Sequence, residues 1–291
     1  MIVMTCLEEN TLFNMEVREA HITDWDNLLA FFKSIYREGH PLHKPEFWQW
    51  QFGDPKYGRS FICTNDNGRI VGHVGANFGG GHAWIINVYL NEDCRGKGIL
   101  GKLYNLARAY YPLAATAANA AGLGLYKKMR WIRYHDLVRY VKINPEIVVN
   151  SIADTCRNIT VDNAHLQLSN THYFRQPGIK GISLGTSSAV SQESVGGLRL
   201  VDLDDVVDVE EKAWEMNYLW VDYITSWNDL KTDALQKNGW DLDHKSGIPW
   251  RLNPLVENAF SDISFLSEQP LDPEFIVHRS YSDHGRIGSL L

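Results

Sequence analysis

The first half of the chain alternates between apolar patterns typical of strands and patterns typical of helices. Residues 15–21 alternate between apolar and polar side chains, as a half-buried strand does, and apolar residues then recur at helical spacing from Leu28 to Ile35. Further elements are predicted as a helix over 45–52, strands over 60–64, 69–77 and 83–90, a helix over 98–110, a strand over 113–118, a helix over 120–129 and a strand over 131–143. This order predicts an α/β domain with a mixed sheet.

The second half of the chain begins with a similar pattern. Residues 198–203 resemble a strand, and Asp204 or Asp205 can cap a following helix. Residues 250–254 are similar in sequence to residues 50–55. Two interpretations stay open, a degenerate repeat of the first half or a chance similarity between two amphipathic units.

Three segments are therefore predicted. The middle one contains Pro177, Gly178 and several further glycines and serines, which favour loops, and strands are predicted again over 259–265 and 275–279. The segments are a domain at 1–145, an irregular connecting region at 146–196 and a degenerate second half at 197–291.

Composition narrows the class of protein. The net charge is -7 and the pI about 5.9, so a nucleic-acid partner is not expected. No apolar run approaches the roughly 18 residues of a membrane span, and the first residues do not resemble a signal peptide. The four cysteines are scattered, and Pro41 separates His40 from His43, so we expect no metal site. A cytoplasmic protein is the expectation.

A glycine-containing loop lies between the strand predicted at 83–90 and the helix predicted at 98–110. Its sequence, from residue 93 to residue 98, is Asp-Cys-Arg-Gly-Lys-Gly. The first amides of a helix lack internal partners and carry the positive end of the helix dipole. Gly96 and Gly98 let an anion approach the backbone, and Arg95 and Lys97 add positive charge. The pattern predicts a phosphate-type anion site, with a purely structural turn as the alternative.

This loop resembles the signature Q/R-x-x-G-x-G/A of the GNAT acyltransferases, with Asp93 at its first position. A second segment, residues 119–131, resembles the family pattern N-x-x-A-x-x-L-Y-x-x-x-G-F. Asn119, Leu125 and Tyr126 match it, whereas residue 130 is arginine where the family has glycine. The resemblance covers roughly residues 15–143. It implies a GNAT fold for this half, with a mixed, mostly antiparallel central sheet and flanking helices. If the second half is a repeat of the first, it is a degenerate GNAT-like unit.

The resemblance also implies acetyl-CoA or another acyl-CoA as the donor, bound between the fourth and fifth strands without a metal. Backbone groups of residues 88–90 would pair with the pantetheine amides, and the glycine loop would bind the pyrophosphate. The implied donor-binding residues are Val88, Tyr89, Leu90, Arg95, Gly96, Lys97, Gly98, Ile99, Leu100 and Asn119.

Direct attack of an amine on the thioester needs an acid and a base. Tyr126 lies at the family's position for the proton donor to the departing thiolate, with core packing as the alternative. The predicted strand 83–90 carries no carboxylate. The position at which some relatives have a glutamate base is His82, and histidine suits general-base work. An exposed loop histidine is the alternative for His82, and His73 is the competing candidate.

The sequence indicates less about the acceptor than about the donor. Trp48 and Trp50, with His73, are the predicted acceptor-binding residues, and core packing is the alternative for the tryptophans. The Trp-x-Trp-Gln segment resembles long GNATs of bacterial surface-polysaccharide pathways. That resemblance implies a small-molecule amine, the amino group of a nucleotide-linked deoxyamino sugar, with its phosphates bound by Arg37, Lys44 and Arg59.

Other functions stay open. They are an acetyltransferase for a small amine or a protein amino group, and a catalytically silent acyl-CoA sensor or scaffold. Transfer from aminoacyl-tRNA is disfavoured by the acidic charge. A homodimer is the expected assembly.

Overall fold

The protein folds around two mixed sheets. The computed structural model describes residues 15–117, 120–146, 172–192, 196–242 and 263–282. Seven strands form the first sheet and six form the second. None of the helices in these ranges is both long and apolar enough to cross a bilayer.

The first sheet contains most of the predicted strands of the first half. Its strands are β1 (Glu16–Glu19), β2 (Gly58–Thr64), β3 (Ile70–Gly79), β4 (His82–Leu90), β5 (Leu113–Ala117), β6 (Ile132–Arg133) and β13 (Ser264–Ser267). They lie in the order β1-β2-β3-β4-β5-β13-β6. The pairs β1–β2, β2–β3 and β3–β4 are antiparallel, whereas β4 and β5 are parallel.

The second sheet contains the remaining strands. They are β7 (Val138–Ile143), β8 (Gly181–Leu184), β9 (Ser187–Gln192), β10 (Gly197–Asp202), β11 (Trp220–Thr225) and β12 (Asp241–Leu242). Their order is β12-β7-β11-β10-β9-β8, and β10 and β11 are its parallel pair. Regular strands therefore form at 181–192, where an irregular connection was expected.

Helices cover both faces of the first sheet. The α-helices within the described ranges are α1 (Trp25–Ile35), α2 (Pro45–Phe52), α3 (Ile99–Arg108), α4 (Ala120–Lys128), α5 (Val206–Glu215) and α6 (Lys231–Lys237). Helices α1 and α2 pack on one face in a cluster that includes Ile62 and Ile86. Helices α3 and α4 pack on the other, in a cluster that includes Phe61 and Ile85. Successive side chains of a strand point to opposite faces of the sheet, so each strand contributes apolar residues to both cores.

The two sheets exchange their last strands. Strand β13 pairs antiparallel with β5 and β6 of the first sheet, and β7 pairs antiparallel with β11 and β12 of the second. The single strand predicted over 131–143 is wrong, because β6 and β7 lie in different sheets. Between them, the amides of Tyr134 and Leu137 bond the carbonyls of Phe265 and Ile263. Each sheet therefore contains strands from both sides of residue 145, where the boundary of the first domain was predicted.

The order of elements repeats along the chain. The series β2-β3-β4-α3-β5-α4-β6-β7 has the same order as β8-β9-β10-α5-β11-α6-β12-β13. In this correspondence β10 matches β4, so residues 198–203 do not open the second series, contrary to expectation. Residues 275–279 form no strand, and residues 250–254 lie outside the described ranges.

Candidate functional site

Strands β4 and β5 separate part-way along their length. Their parallel pairing consists of Ala83 with Leu113, Trp84 with Ala114 and Ile85 with Ala115. Strand β4 continues for five more residues to Leu90, and strand β5 for two more to Ala117. The strands therefore leave an opening between them, which we call the wedge, bordered by residues 86–90 and 116–117.

A β-bulge in β4 lies at the start of the wedge. The register with β3 shifts between His73, which faces Tyr89, and Gly75, which faces Ile86. Strand β4 thus has one extra residue there, and Asn87 has a φ of 49°. Bulges bend the strand that contains them, which accounts for the departure of β4 from β5.

His73 fixes the bulge from inside the sheet. Its Nδ1 donates to the carbonyl of Asn87 at 2.8 Å, and its Nε2 accepts from the hydroxyl of Ser60 at 2.8 Å. Burial lowers the pKa of His73 to about 4, and the bond to Asn87 opposes this only in part. His73 is fully buried and neutral near pH 7, so direct contact with an acceptor, as expected from the sequence, does not occur in this arrangement.

The glycine loop adopts the geometry that an anion site needs. Gly96 and Gly98 have φ values of 76° and 75°, in the left-handed region. A Cβ built on either would meet no protein atom within 4 Å, so packing against the rest of the chain does not require glycine there. Arg95 Nε donates to the carbonyl of Leu90 at 3.1 Å and ties the loop to the end of β4. The loop lies open beside the wedge.

The start of α3 lacks a side-chain cap. Gly98 is its N-cap residue, and no side chain in the described part of the protein bonds the first amides of the helix. The equivalent start of α5 differs, because Asp205 Oδ1 accepts from the amides of Val207 and Asp208 at 2.9 and 3.1 Å. A carboxylate of the chain therefore occupies the amides in the second half. Of these two matching helices, α3 is the one that can offer its first amides to an external anion.

The second motif places Tyr126 in the core behind the wedge. Tyr126 lies in α4 and stacks on Trp131 with ring centroids 4.6 Å apart. Tyr104 of α3 lies nearby, and burial, with a smaller contribution from Tyr126, raises its pKa well above the usual range. Arg130 has a φ of 59°, the left-handed conformation for which the family pattern has glycine. Asn119 of the same motif lies outside the described residues.

The remaining donor-site candidates lie along the wedge and loop. Val88 and Leu90 are half-buried and pack toward α3, whereas Tyr89 packs toward α1. Ile99 is buried in the first turn of α3, and Leu100 packs against the same core. The backbone of residues 88–90 has no β5 partner.

His82 lies at the other end of β4. Its Nδ1 donates to the carbonyl of Gly80 at 2.8 Å, and its ring contacts Phe275 edge-on. Five residues separate His82 from Asn87, which is about 16 Å along a strand at ~3.3 Å per residue. His82 thus lies well removed from the bulge, and its role as a general base, directly or through water, stays a prediction.

The tryptophans of α2 build the core more than they line a cleft. Trp48 is buried, and Trp50 Nε1 donates to the carbonyl of His172 at 2.8 Å. The His172 ring stacks on both Trp50 and Tyr57. Trp48 therefore packs in the core, which is the alternative interpretation of this residue.

Arg59 is also placed differently from the expectation. Its Nε lies 2.9 Å from Glu19 Oε1, and this pair adjoins Tyr110, on the α3 side of the sheet. It therefore faces away from α1 and α2, where an acceptor was expected.

Comparison with known proteins agrees with this geometry. Residues 25–130 match the model of the acetyltransferase (GNAT) family. A proposed acetyltransferase from Pyrococcus horikoshii superposes with a TM-score of 0.52 and 16% identity, over 90% of this chain and 92% of that chain. The fold is that of the GNAT acetyltransferases.

The family match covers about a third of the chain, whereas the structural likeness to the Pyrococcus protein extends over both sheets. A glucosamine N-acetyltransferase region of a fungal multi-domain GH3 β-N-acetylglucosaminidase gives a TM-score of 0.47 at 11% identity, over 88% of this chain and 38% of that chain. No curated protein matches the sequence.

In this GNAT fold, the wedge and the glycine loop adjoin each other because both lie at the end of β4. Within the described ranges, no group of three or more histidine, cysteine or acidic side chains could hold a metal ion.

Proposed function

We propose that the protein is an N-acyltransferase that moves an acetyl or short acyl group from acyl-CoA to a primary amine. The observation that carries this proposal is the uncapped start of α3, whose two left-handed glycines lie open beside the wedge. A pyrophosphate at these amides would leave the pantetheine arm free to follow β4 into the wedge.

Residues of the loop fit the donor. The amides of Ile99 and Leu100 would bind the pyrophosphate, with Arg95 and Lys97 as countercharges. The backbone of residues 88–90 would pair with the pantetheine amides as an added strand would, because β5 leaves that edge uncovered. Asn119 would bond the pantetheine arm. The bound donor supplies an activated thioester carbonyl.

Tyr126 is the proposed acid. Its ring stacks on Trp131 in the core next to α3, and its hydroxyl would donate the proton to the departing sulfur. The proposed acceptor is the amino group of a nucleotide-linked deoxyamino sugar. This choice is supported by the Trp-x-Trp-Gln resemblance, and Arg37 and Lys44 remain the proposed phosphate contacts.

The donor site is tested by Gly98→Ala with Gly68→Ala as its control. Both glycines have similar φ values, 75° and 70°, and neither substitution would meet another atom within 4 Å. Both variants should therefore lose similar stability, about 1 kcal/mol. Because Gly98 borders the proposed pyrophosphate site and Gly68 lies in the β2–β3 turn, only Gly98→Ala should weaken acetyl-CoA binding, by tenfold or more in calorimetric titration. Equal affinities in both variants would contradict the assignment, as would failure of folded wild-type protein to bind any acyl-CoA.

The proposed acid is tested by Tyr126→Phe. The rate of CoA release with amino-sugar nucleotides should fall by about 100-fold, because the thiolate loses its proton donor. The dissociation constant for acetyl-CoA should stay within about twofold. Tyr223→Phe, which also removes a buried hydroxyl but in the second sheet, is the control. A wild-type protein that binds acetyl-CoA and releases no CoA with any amine would favour the sensor or scaffold function instead.

A further inference from the structure

Two buried oxygen atoms that have no hydrogen-bond partner among the described residues flank the wedge. They are the side-chain amide oxygen Oδ1 of Asn87, on β4, and the hydroxyl oxygen Oγ1 of Thr116, on β5. Buried polar atoms in folded proteins are nearly always paired. Two unpaired oxygens at the borders of one opening therefore indicate a ligand that donates hydrogen bonds.

Their positions on the strands place them at the mouth of the wedge. The last β4–β5 pair is Ile85 with Ala115, so Thr116 is one residue and Asn87 two residues beyond it. Each oxygen thus belongs to the first part of its strand that the neighbouring strand no longer covers.

Both side chains lie on the α1–α2 face of the sheet. Thr116 lies two positions after Ala114 and therefore on the same face of β5. Ala114 packs with Trp84, away from the α3 core. Asn87 Nδ2 lies 3.5 Å from the hydroxyl of Tyr36, the residue that ends α1. The glycine loop and α3 lie on the opposite face. Donor and acceptor can therefore reach the wedge from opposite sides.

The backbone of Asn87 supports a functional interpretation. A φ of 49° is uncommon for a residue other than glycine, and such conformations concentrate at functional sites. Asparagine tolerates this region better than most residues. The bulge turns the Asn87 side chain to the α1 side while His73 holds its carbonyl.

We propose that Asn87 Oδ1 and Thr116 Oγ1 bind the acceptor nitrogen, each accepting a hydrogen bond from one N–H of a neutral primary amine. This inference rests on the proposed function and adds the acceptor's point of entry. With both N–H groups bound, the nitrogen lone pair is left for the thioester carbon.

The lone pair forms the N–C bond, the C–S bond breaks and sulfur keeps its electron pair. Sulfur takes a proton from Tyr126, and the proton released by the nitrogen restores the Tyr126 hydroxyl through solvent. The products are an amide and free CoA.

The test uses a probe that needs no knowledge of the natural acceptor. The probe is coenzyme A with –CH2–CO–NH–CH2CH3 on its sulfur, which places an acceptor-like N–H at the mouth of the wedge. Its dissociation constant and that of coenzyme A are measured by calorimetry for wild type, Asn87→Gly, Thr116→Val and the double variant. Glycine suits the positive φ of residue 87, and valine keeps the shape of threonine.

Wild type should bind the probe at least tenfold more tightly than coenzyme A, and the double variant should bind both equally within twofold. Coenzyme A itself should bind all four proteins alike, which also shows that they fold. The controls are Asn217→Gly, at an exposed residue with a φ of 60°, and Thr64→Val, at a buried threonine of β2.

The two proposals fail in different ways. If wild type does not bind coenzyme A, the proposed function fails. If coenzyme A binds but the probe gains nothing in wild type, or keeps its gain in the double variant, the acceptor role of Asn87 and Thr116 is overturned.

Discussion

A chain that ends at residue 146 is expected not to fold into a stable unit, although it contains the whole segment, residues 25–130, that matches the GNAT family model. Without β13, strand β5 loses the neighbour that it pairs with from Ala114 to Ala117. Trp84 also loses its stacking on Phe265, whose ring centroid lies 5.4 Å away. An uncovered apolar strand edge favours aggregation. At the same time β7 would have no second sheet to join.

Fragment expression checks this expectation. Residues 15–146 alone should show no cooperative urea unfolding and should aggregate in size-exclusion chromatography. The control is residues 15–137 joined by a flexible linker to residues 263–282, which restores β13 and removes the unpartnered β7. That chain should recover a cooperative transition. A monomeric, cooperatively unfolding 15–146 fragment would show that the strand exchange is dispensable.

Asp222→Asn is expected to destabilise the protein by about 3–5 kcal/mol, because it removes a carboxylate that three buried arginines share. Arg139 Nε lies 2.9 Å, Arg279 Nη1 3.0 Å and Arg199 Nε 3.5 Å from the Asp222 oxygens. Burial alone would raise the pKa of Asp222, but the attraction of the three guanidinium groups brings it to about 2. The buried positive charges would lose this compensation in the variant.

Urea unfolding of Asp208→Asn supplies the matched control. Asp208 pairs with Lys212 at 2.6 Å on α5, where both side chains are partly exposed, so its loss should cost under about 1 kcal/mol. The folded-state pKa of Asp222 lies below its unfolded value, so its contribution is present above about pH 4 and is lost as the pH falls through 2. The effect of Asp222→Asn should therefore be the same at pH 6 and pH 8. Equal losses for the two variants would contradict the assigned role of Asp222.

Features that depend on neighbouring residues could be predicted from the sequence. Gly96 and Gly98 reveal a left-handed loop because few other residues adopt it, and the apolar spacing in α1 and α3 reveals their buried faces. The GNAT fold followed from two such local motifs. In the second half, the matching helix α5 begins instead with Asp205, whose carboxylate accepts from the amide of Val207.

Features that depend on distant partners could not be predicted. The run from residue 131 to residue 143 has the pattern of one strand, but the partners of its two parts, β13 and β11, lie far along the chain. Burial of Trp48 and His73 depends on how α1 and α2 pack. Asn87 was missed, although a lone asparagine within the apolar run of β4 is a signal that could have pointed to the bulge.

The exchanged strands also affect the order in which the protein can be made. Ala117 and Ser264, which pair in the first sheet, are separated by 147 residues. At roughly 5–20 residues per second, a ribosome needs about 7–30 s to add that length. During this interval the nascent chain has an incomplete first sheet, and the final contacts span a large part of the sequence, which slows folding. The proposed donor-binding motifs therefore lie in a sheet whose last strand is synthesised long after them.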